Sequence, residues 1–235
     1  MAPWGAIFDW DGVVVDSSGL HEASWEQLAQ ESGRSLPSDH FQRGFGRRNE
    51  EIMAHLFGWT DDSQELTRLA ARKEQLYREL VRTRGLSVIA GSRAWLTMLR
   101  QAGIPCVVAS STPRENITCV LEPLTLAGTF SAIVASEDVT RGKPDPEVFL
   151  LAATRLKLPP SQCVVFEDVP AGIQAARAAG IRVIALTTTF PAKVLREADL
   201  VVSRLDVLTL EALEVWFTHP RIRGRLPPPP NVPRS

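Results

Sequence analysis

The apolar run Ala6-Ile7-Phe8 stops at two aspartates, Asp9 and Asp11, and Gly12 follows at once. If Ala6 to Phe8 end a strand, side chains two apart leave the backbone on the same side. Asp9 and Asp11 then crowd one small volume at the strand's C-terminal tip. Two like charges there raise one another's pKa unless a cation or a proton compensates. The arrangement suits a hard divalent ion, with one carboxylate as nucleophile and the other as general acid. Asp and Gly are also common turn residues, so alone the pattern equally suits a solvated acidic turn.

Three further stretches favour the site reading. Val107-Val108-Ala109-Ser110-Ser111-Thr112-Pro113-Arg114-Glu115 runs from strand-like residues into a helix start. Thr112 fits the N-cap, Pro113 the first helical position, and Glu115 closes a capping box. Arg141-Gly142-Lys143-Pro144-Asp145-Pro146-Glu147 repeats the device, with Asp145 as cap and Pro146 opening the helix. Val164-Val165-Phe166-Glu167-Asp168-Val169-Pro170 joins an apolar run to two acids, again before a proline. In open α/β sheets, strand C-terminal ends and facing helix N-termini gather ligands, phosphates above all. Asp9, Asp11, Ser110, Lys143, Glu167 and Asp168 are therefore expected in one crevice, a set that reads as metal-assisted phosphoryl chemistry.

The alternation of strand and helix breaks off after Asp16. Helical patterns run to about Ser87, clearest in Asp62 to Arg82, where Leu66, Leu69, Ala70, Leu76, Tyr77 and Leu80 form a stripe at 3.6 spacing. Beyond Ala90 the βα rhythm resumes. Strands are predicted near 5–9, 104–109, 132–135, 163–166 and 182–186, with a weaker one near 199–202. The expected fold is a doubly wound, parallel, Rossmann-like α/β sheet with a small helical cap inserted after the first strand. The core takes residues 1–16 and 88–219, the cap 17–87. Residues 220–235, with Pro227 to Pro230 and Arg221, Arg223 and Arg225, read as a solvated, disordered tail.

At 235 residues the chain can bury a large core with an insert beside it. A formal net charge of −1 offers no global basic field for nucleic acid or an anionic membrane. Cys106, Cys119 and Cys163 show no ligand spacing, and Cys106 and Cys163 read as small core hydrophobes. No signal-like segment and no membrane-spanning apolar run occurs, so a cytoplasmic protein, a monomer or weak dimer, is the default expectation.

The four motifs, Asp9-Trp10-Asp11-Gly12-Val13, Ser110, Gly142-Lys143-Pro144-Asp145-Pro146 and Phe166-Glu167-Asp168, stand in one order. In that order the chain, over about residues 4 to 205, resembles the haloacid dehalogenase superfamily on its phosphatase and phosphomutase side. The resemblance implies that Asp9 attacks phosphorus and becomes a transient aspartyl phosphate. Asp11 then protonates the leaving oxygen and later deprotonates the attacking water. It further implies Mg²⁺ held by Asp9, the Asp11 carbonyl, Asp168 and waters, with Glu167 as a further or outer ligand. Ser110 would donate to a phosphoryl oxygen and Lys143 neutralise developing charge.

Candidate substrate contacts are weaker. Gly44-Phe45-Gly46-Arg47-Arg48-Asn49 is a glycine-framed basic loop suited to an anionic substrate, or equally to a helix connection with exposed arginines. Lys73 sits inside an apolar stripe, where it either snorkels outward or points at something anionic. His21 matches a histidine near the cap hinge of related enzymes, and Ser111 adjoins Ser110.

The presence of Asp11 disfavours haloalkanoate dehalogenation, and Lys73 alone does not establish a phosphonate hydrolase. The expected activity is hydrolysis of a small phosphate monoester of sugar-phosphate or phosphoglycolate type. A beta-phosphoglucomutase-like phosphomutase is the alternative, and an idle regulatory protein the remote one. The expected partner is a small phosphorylated metabolite.

Overall fold

The computed structural model describes residues 4–218. Its apolar runs form a six-stranded parallel sheet from β1 (Gly5–Phe8), β4 (Cys106–Ala109), β5 (Ala132–Val134), β6 (Cys163–Glu167), β7 (Arg182–Leu186) and β8 (Leu200–Val202). A separate antiparallel ribbon pairs β2 (Val15–Asp16) with β3 (Ser87–Val88), Val15 opposite Val88. The strand order is β5-β4-β1-β6-β7-β8, so the chain winds outward from β1 in one direction, then returns to β1 and winds out in the other. The tips of β1, β4 and β6 therefore flank the point where strand order reverses, which is where such sheets bind ligands.

Period-two alternation explains why β1 is apolar throughout. Ala6 and Phe8 face one layer, where Phe8 stacks on Phe166 at 4.6 Å and Trp95 meets Phe166 edge-on at 6.1 Å. Ile7 faces the other layer, with Val107, Val165, Phe149 and Ile173. Helices cover both faces, α5 (Ser92–Gln101), α6 (Arg114–Leu121) and α9 (Leu210–Thr218) on one side, α7 (Glu147–Leu156) and α8 (Pro170–Ala178) on the other. A strand covered on both faces needs apolar residues at every position.

Between β2 and β3 lies the helical cap: α1 (Ser18–Ser32), α2 (His40–Gly44), α3 (Asn49–Glu51), a π-helical turn over Ile52–Leu56, and α4 (Ser63–Arg84). Asp62 caps α4 by accepting from the Glu65 amide at 2.7 Å. Trp25, Leu28, Ile52, Met53, Leu69, Ala70 and Leu76 form the cap's own small core. The ribbon β2–β3 is the double crossing by which the chain leaves and re-enters the sheet domain. Its two-residue strands are too short for periodicity to register.

The strand positions agree with those predicted to within one or two residues. Two helix starts do not. Thr112 makes no cap bond, α6 begins one residue later behind Pro113, and the capping box does not form. The Thr112 hydroxyl is drawn instead to Asp11, and Glu115 ion-pairs with Arg78 at 3.2 Å. At α7 the helix opens at Glu147 behind Pro146, but Asp145 Oδ1 still accepts from the Glu147 amide at 3.0 Å. The Pro/Arg-rich segment 220–235 lies outside the described residues. Among those described, no helix is long and apolar enough to cross a membrane.

Candidate active site

Asp9 follows the last residue of β1, and its amide bonds to the carbonyl of Phe166 at 3.0 Å, which ties the first motif to the tip of β6. Glu167 ends β6 and Asp168 follows it. One carboxylate oxygen from each of Asp9, Glu167 and Asp168 lies within 4.8 Å of the others, and all three residues are buried. Lys143 arrives from the 142–146 turn, its Nζ 2.6 Å from Glu167 Oε1 and 3.0 Å from Asp9 Oδ1. Three carboxylates thus face a single cation, itself buried, with the Phe149 ring 5.0 Å away.

The charge imbalance shows in the acidities. Burial, with Glu167 and Asp11 nearby, pushes the Asp9 carboxyl up to about 7 despite the opposing pull of Lys143. Burial and the same acidic neighbours push Asp168 well above the usual carboxylate range. Among the described residues, Asp9 Oδ1 has its ion-pair contact but no hydrogen bond, and Asp168 Oδ1 has no hydrogen-bond partner. Buried carboxylate oxygens left open in this way fit a divalent cation, which prefers oxygen donors and would relieve the repulsion. Glu167 is differently placed. Its Oε2 accepts from the amides of Asp168 and Val169 at 2.8 and 2.9 Å, and its Oε1 takes Lys143. Both oxygens are occupied, so it orients Lys143 and the start of α8.

Two glycines permit this crowding. Gly12 has φ +76°, and a Cβ there would fall 2.0 Å from Asp168 Oδ2. A Cβ on Gly172 would overlap Glu167 Oε1 at 1.7 Å. Any side chain at either position would displace an acid from the cluster.

Asp11 has the opposite environment to Asp9. Its Oδ1 accepts from Ser17 Oγ at 2.5 Å and contacts His21 Nε2 at 3.2 Å, and its Oδ2 accepts from the Thr112 hydroxyl. Burial pushes its carboxyl up, but the His21 imidazole and the Ser17 and Thr112 hydroxyls outweigh burial and hold it at about 2. Its carboxylate is not in the acidic cluster. His21 Nδ1 lies 2.7 Å from Lys73 Nζ. An ammonium only donates, so Nδ1 accepts and the ring proton sits on Nε2, facing Asp11. The His21 ring also stacks on Tyr77 at 4.1 Å.

Lys73 does not snorkel. It is 2 % exposed, in contact with His21, and 3.0 Å from Glu74 Oε1. Ser110 is buried at the β4 tip, its Oγ accepting from the Thr112 amide at 3.2 Å. Asp9, Asp11, His21, Gly46, Arg47, Lys73, Ser110 and Ser111 line one cavity between cap and core. Arg48 does not line it. Its guanidinium donates to the carbonyls of Ser136, Val139 and Thr140 at 2.8, 2.6 and 3.2 Å, fastening the cap loop to the core segment that leads to Lys143. Of the paired arginines, only Arg47 lines the cavity.

Sequence reasoning passed over Ser17 and Thr189 and read Thr112 only as a helix cap, yet the hydroxyls of all three hold Asp11 and Asp168. Thr189 follows the tip of β7, so the strand-end logic applied to the other motifs would have reached it. His40, Trp25 and Phe45 also line the cavity, but nothing in their spacing announces it.

A capped, doubly wound sheet with buried acids at its central strand tips defines a class of hydrolase core. The chain matches the family model described as haloacid dehalogenase-like hydrolase over residues 5–180, and it belongs to that family. It is 37% identical over 212 residues to the chloroplastic 5-amino-6-(5-phospho-D-ribitylamino)uracil phosphatase of Arabidopsis thaliana; the match covers 88% of this chain and 56% of that protein, so the chain spans little more than half of that relative's length. It is 34% identical over 216 residues to a validoxylamine A 7'-phosphate phosphatase of Streptomyces hygroscopicus, covering 91% and 96% of the two chains. A crystal structure of beta-phosphoglucomutase from Clostridium difficile superposes with a TM-score of 0.81 at 24% identity, covering 94% of this chain and all of that one, and shares the fold.

Proposed function

We propose that the protein is a Mg²⁺-dependent phosphatase of a small phosphate monoester, working through an aspartyl phosphate on Asp9. The observation that carries this reading is the contrast between two aspartates two residues apart. Asp9 sits open-handed among acids and a lysine, and Asp11 is held ionised by three donors. One is placed to be a nucleophile, the other to handle protons. The two relatives named as phosphatases, one of them aligned over nearly its whole length, support hydrolysis.

In this reading Asp9 and Asp168, with the Asp11 carbonyl and waters, would hold the ion. Mg²⁺ supplies positive charge that keeps Asp9 ionised near neutral pH and offsets the phosphoryl oxygens. An Asp9 oxygen attacks phosphorus in line while the bond to the leaving oxygen breaks. Lys143 and Ser110 stabilise the charge on the transferring group. The leaving oxygen takes a proton from Asp11, which requires Asp11 to enter that half-reaction protonated. The incoming phosphate dianion favours this by like-charge repulsion. In the second half Asp11 is a base: it takes a proton from water, whose oxygen attacks phosphorus and frees Asp9. The ionised form that its three donors favour is the one the second half uses.

The division at the β2–β3 ribbon into a core of residues 1–16 and 88–219 and a cap of 17–87 belongs to the same proposal. It is supported by the cap's separate hydrophobic cluster and by the two-stranded crossing. The cap would then supply the substrate contacts, with Arg47 the arginine free to meet an anionic group. The test is a panel of phosphorylated metabolites assayed for phosphate release with Mg²⁺, with rapid-quench labelling of Asp9. Release by the parent and none by Asp9→Asn supports the reading. Conversion of a sugar 1-phosphate to its 6-phosphate faster than phosphate release would replace it with the phosphomutase.

A further inference from the structure

The cap and core meet at a buried polar joint that lies outside all four motifs. Asn116, on α6 of the core, is fully buried, and its two amide atoms face residues of opposite charge on α4 of the cap. Its Nδ2 donates to Glu74 Oε2, and its Oδ1 accepts from Arg78 Nη1 at 2.8 Å. The amide's orientation is dictated chemically, since a carboxylate only accepts and a guanidinium only donates. Glu74 and Arg78 stand four apart, on one face of α4, and clasp the one amide between them. Aspartate at 116 would satisfy Arg78 but repel Glu74, and an apolar residue would satisfy neither.

Glu74 carries the joint onward. Its Oε1 accepts from Asn49 Nδ2 at 2.6 Å and from Lys73 Nζ at 3.0 Å, and Lys73 contacts His21, which contacts Asp11. Glu74 is 7 % exposed, and both carboxylate oxygens accept hydrogen bonds. A buried charge at the end of such a chain keeps its place only while each donor is present. With the cap lifted, Asn116 stays with the core, and Glu74 loses this donor from the core.

We propose that Asn116 is a positioning residue: it receives Glu74 and Arg78 when the cap seats, and so places Lys73 against His21 at the reaction centre. The proposal rests on the phosphatase reading for its kinetic consequence, but the joint itself is testable without substrate. A core residue thereby reports to the site, through the cap, that the cap is seated.

The experiment compares the parent with Asn116→Asp, Glu74→Gln and the double variant Asn116→Asp/Glu74→Gln, in which the new amide donates to the new carboxylate. Hydrogen–deuterium exchange over residues 70–78 and 114–118 reads the seam in the protein alone. Steady-state kinetics on the best ester reads the consequence. Losing a hydrogen bond to a buried charged group corresponds to about 10-fold or more. Asn116→Asp should therefore lower kcat by about that factor and change KM less, with faster exchange on both sides of the seam. The double variant should recover seam protection relative to Asn116→Asp, and exceed the product of the single effects in kcat. Glu74→Gln, which keeps the shape of every group, guards against a mere folding failure of the aspartate variant. Parental kcat and exchange in Asn116→Asp, or a double variant no better than the singles combined, would overturn the proposal. If no ester is hydrolysed by the parent, the phosphatase reading fails while the exchange data still decide the joint.

Discussion

The strand tips and the cap converge on one cavity but place their residues by different means. At the tips the backbone does the placing. Asp9, Ser110, Glu167 and Asp168 each stand at or just past the end of a parallel strand, so sheet register sets their mutual distances before any side chain acts. In the cap, side chains place one another. Lys73 is defined by His21 and Glu74, Glu74 by Asn49 and Asn116, across separations of up to 52 positions. Backbone placement survives the loss of one side chain, whereas side-chain placement propagates it. Core substitutions should therefore act through missing chemistry, and cap substitutions through displaced neighbours.

The largest effect is expected at the tip of β1. Asp9→Asn removes the attacking charge and should lower kcat on the order of 10⁴-fold with the fold retained, as phosphate release and circular dichroism would show. Near-parental turnover would remove the central premise of the core's half of the comparison. Asp168→Asn should raise the Mg²⁺ concentration needed for half-maximal rate by about 10- to 100-fold, read by metal titration, and chelation of the parent should abolish activity. Glu167→Gln should affect metal affinity less, since both Glu167 oxygens already have protein partners.

Arg48 and Arg47 sharpen the contrast inside one loop. Arg48→Ala removes three hydrogen bonds across the seam and should lower kcat/KM about 10-fold on every ester alike. Arg47→Ala should leave a simple aryl phosphate nearly unaffected and penalise only substrates with a second anionic group, because remote binding energy serves only substrates with a remote group to bind. Equal losses on all substrates for both variants would erase the distinction between fastening and recognition.

The smallest effect is on stability, and its sign separates the two aspartates. In metal-free protein Asp9 keeps its proton up to about pH 7, while the unfolded chain loses it near its ordinary value of 3.8. The native state binds more protons between these values, so stability falls as pH rises from about 4 to about 7. Asp11, held at about 2, works the other way: stability rises with pH between about 2 and 4. Metal-free Asp9→Asn should therefore melt higher than the parent at pH 8 and converge with it near pH 4, and Mg²⁺ should stabilise the parent more than the variant. A parent whose metal-free melting temperature climbs from pH 4 to 8 would contradict the burial argument for Asp9.

Much of this molecule was legible in the linear order of residues. Apolar runs that end at acids or hydroxyls locate the strand tips, because a parallel strand covered on both faces admits polar groups only at its ends. The helical stripe of α4 and the place of the insert follow from periodicity. The four motifs and the family resemblance rest on that same local information. Only the tertiary structure decided which donor goes where. Thr112 reads as a helix cap but turns to Asp11, Arg48 reads like Arg47 but is spent on core carbonyls, and Asn116 carries no mark in its neighbours at all. The reason is physical. A strand end or helix stripe is set by interactions within a few residues, whereas the partner of a buried polar side chain is whichever complementary group folding brings within about 3 Å, and spacing along the chain does not encode that distance.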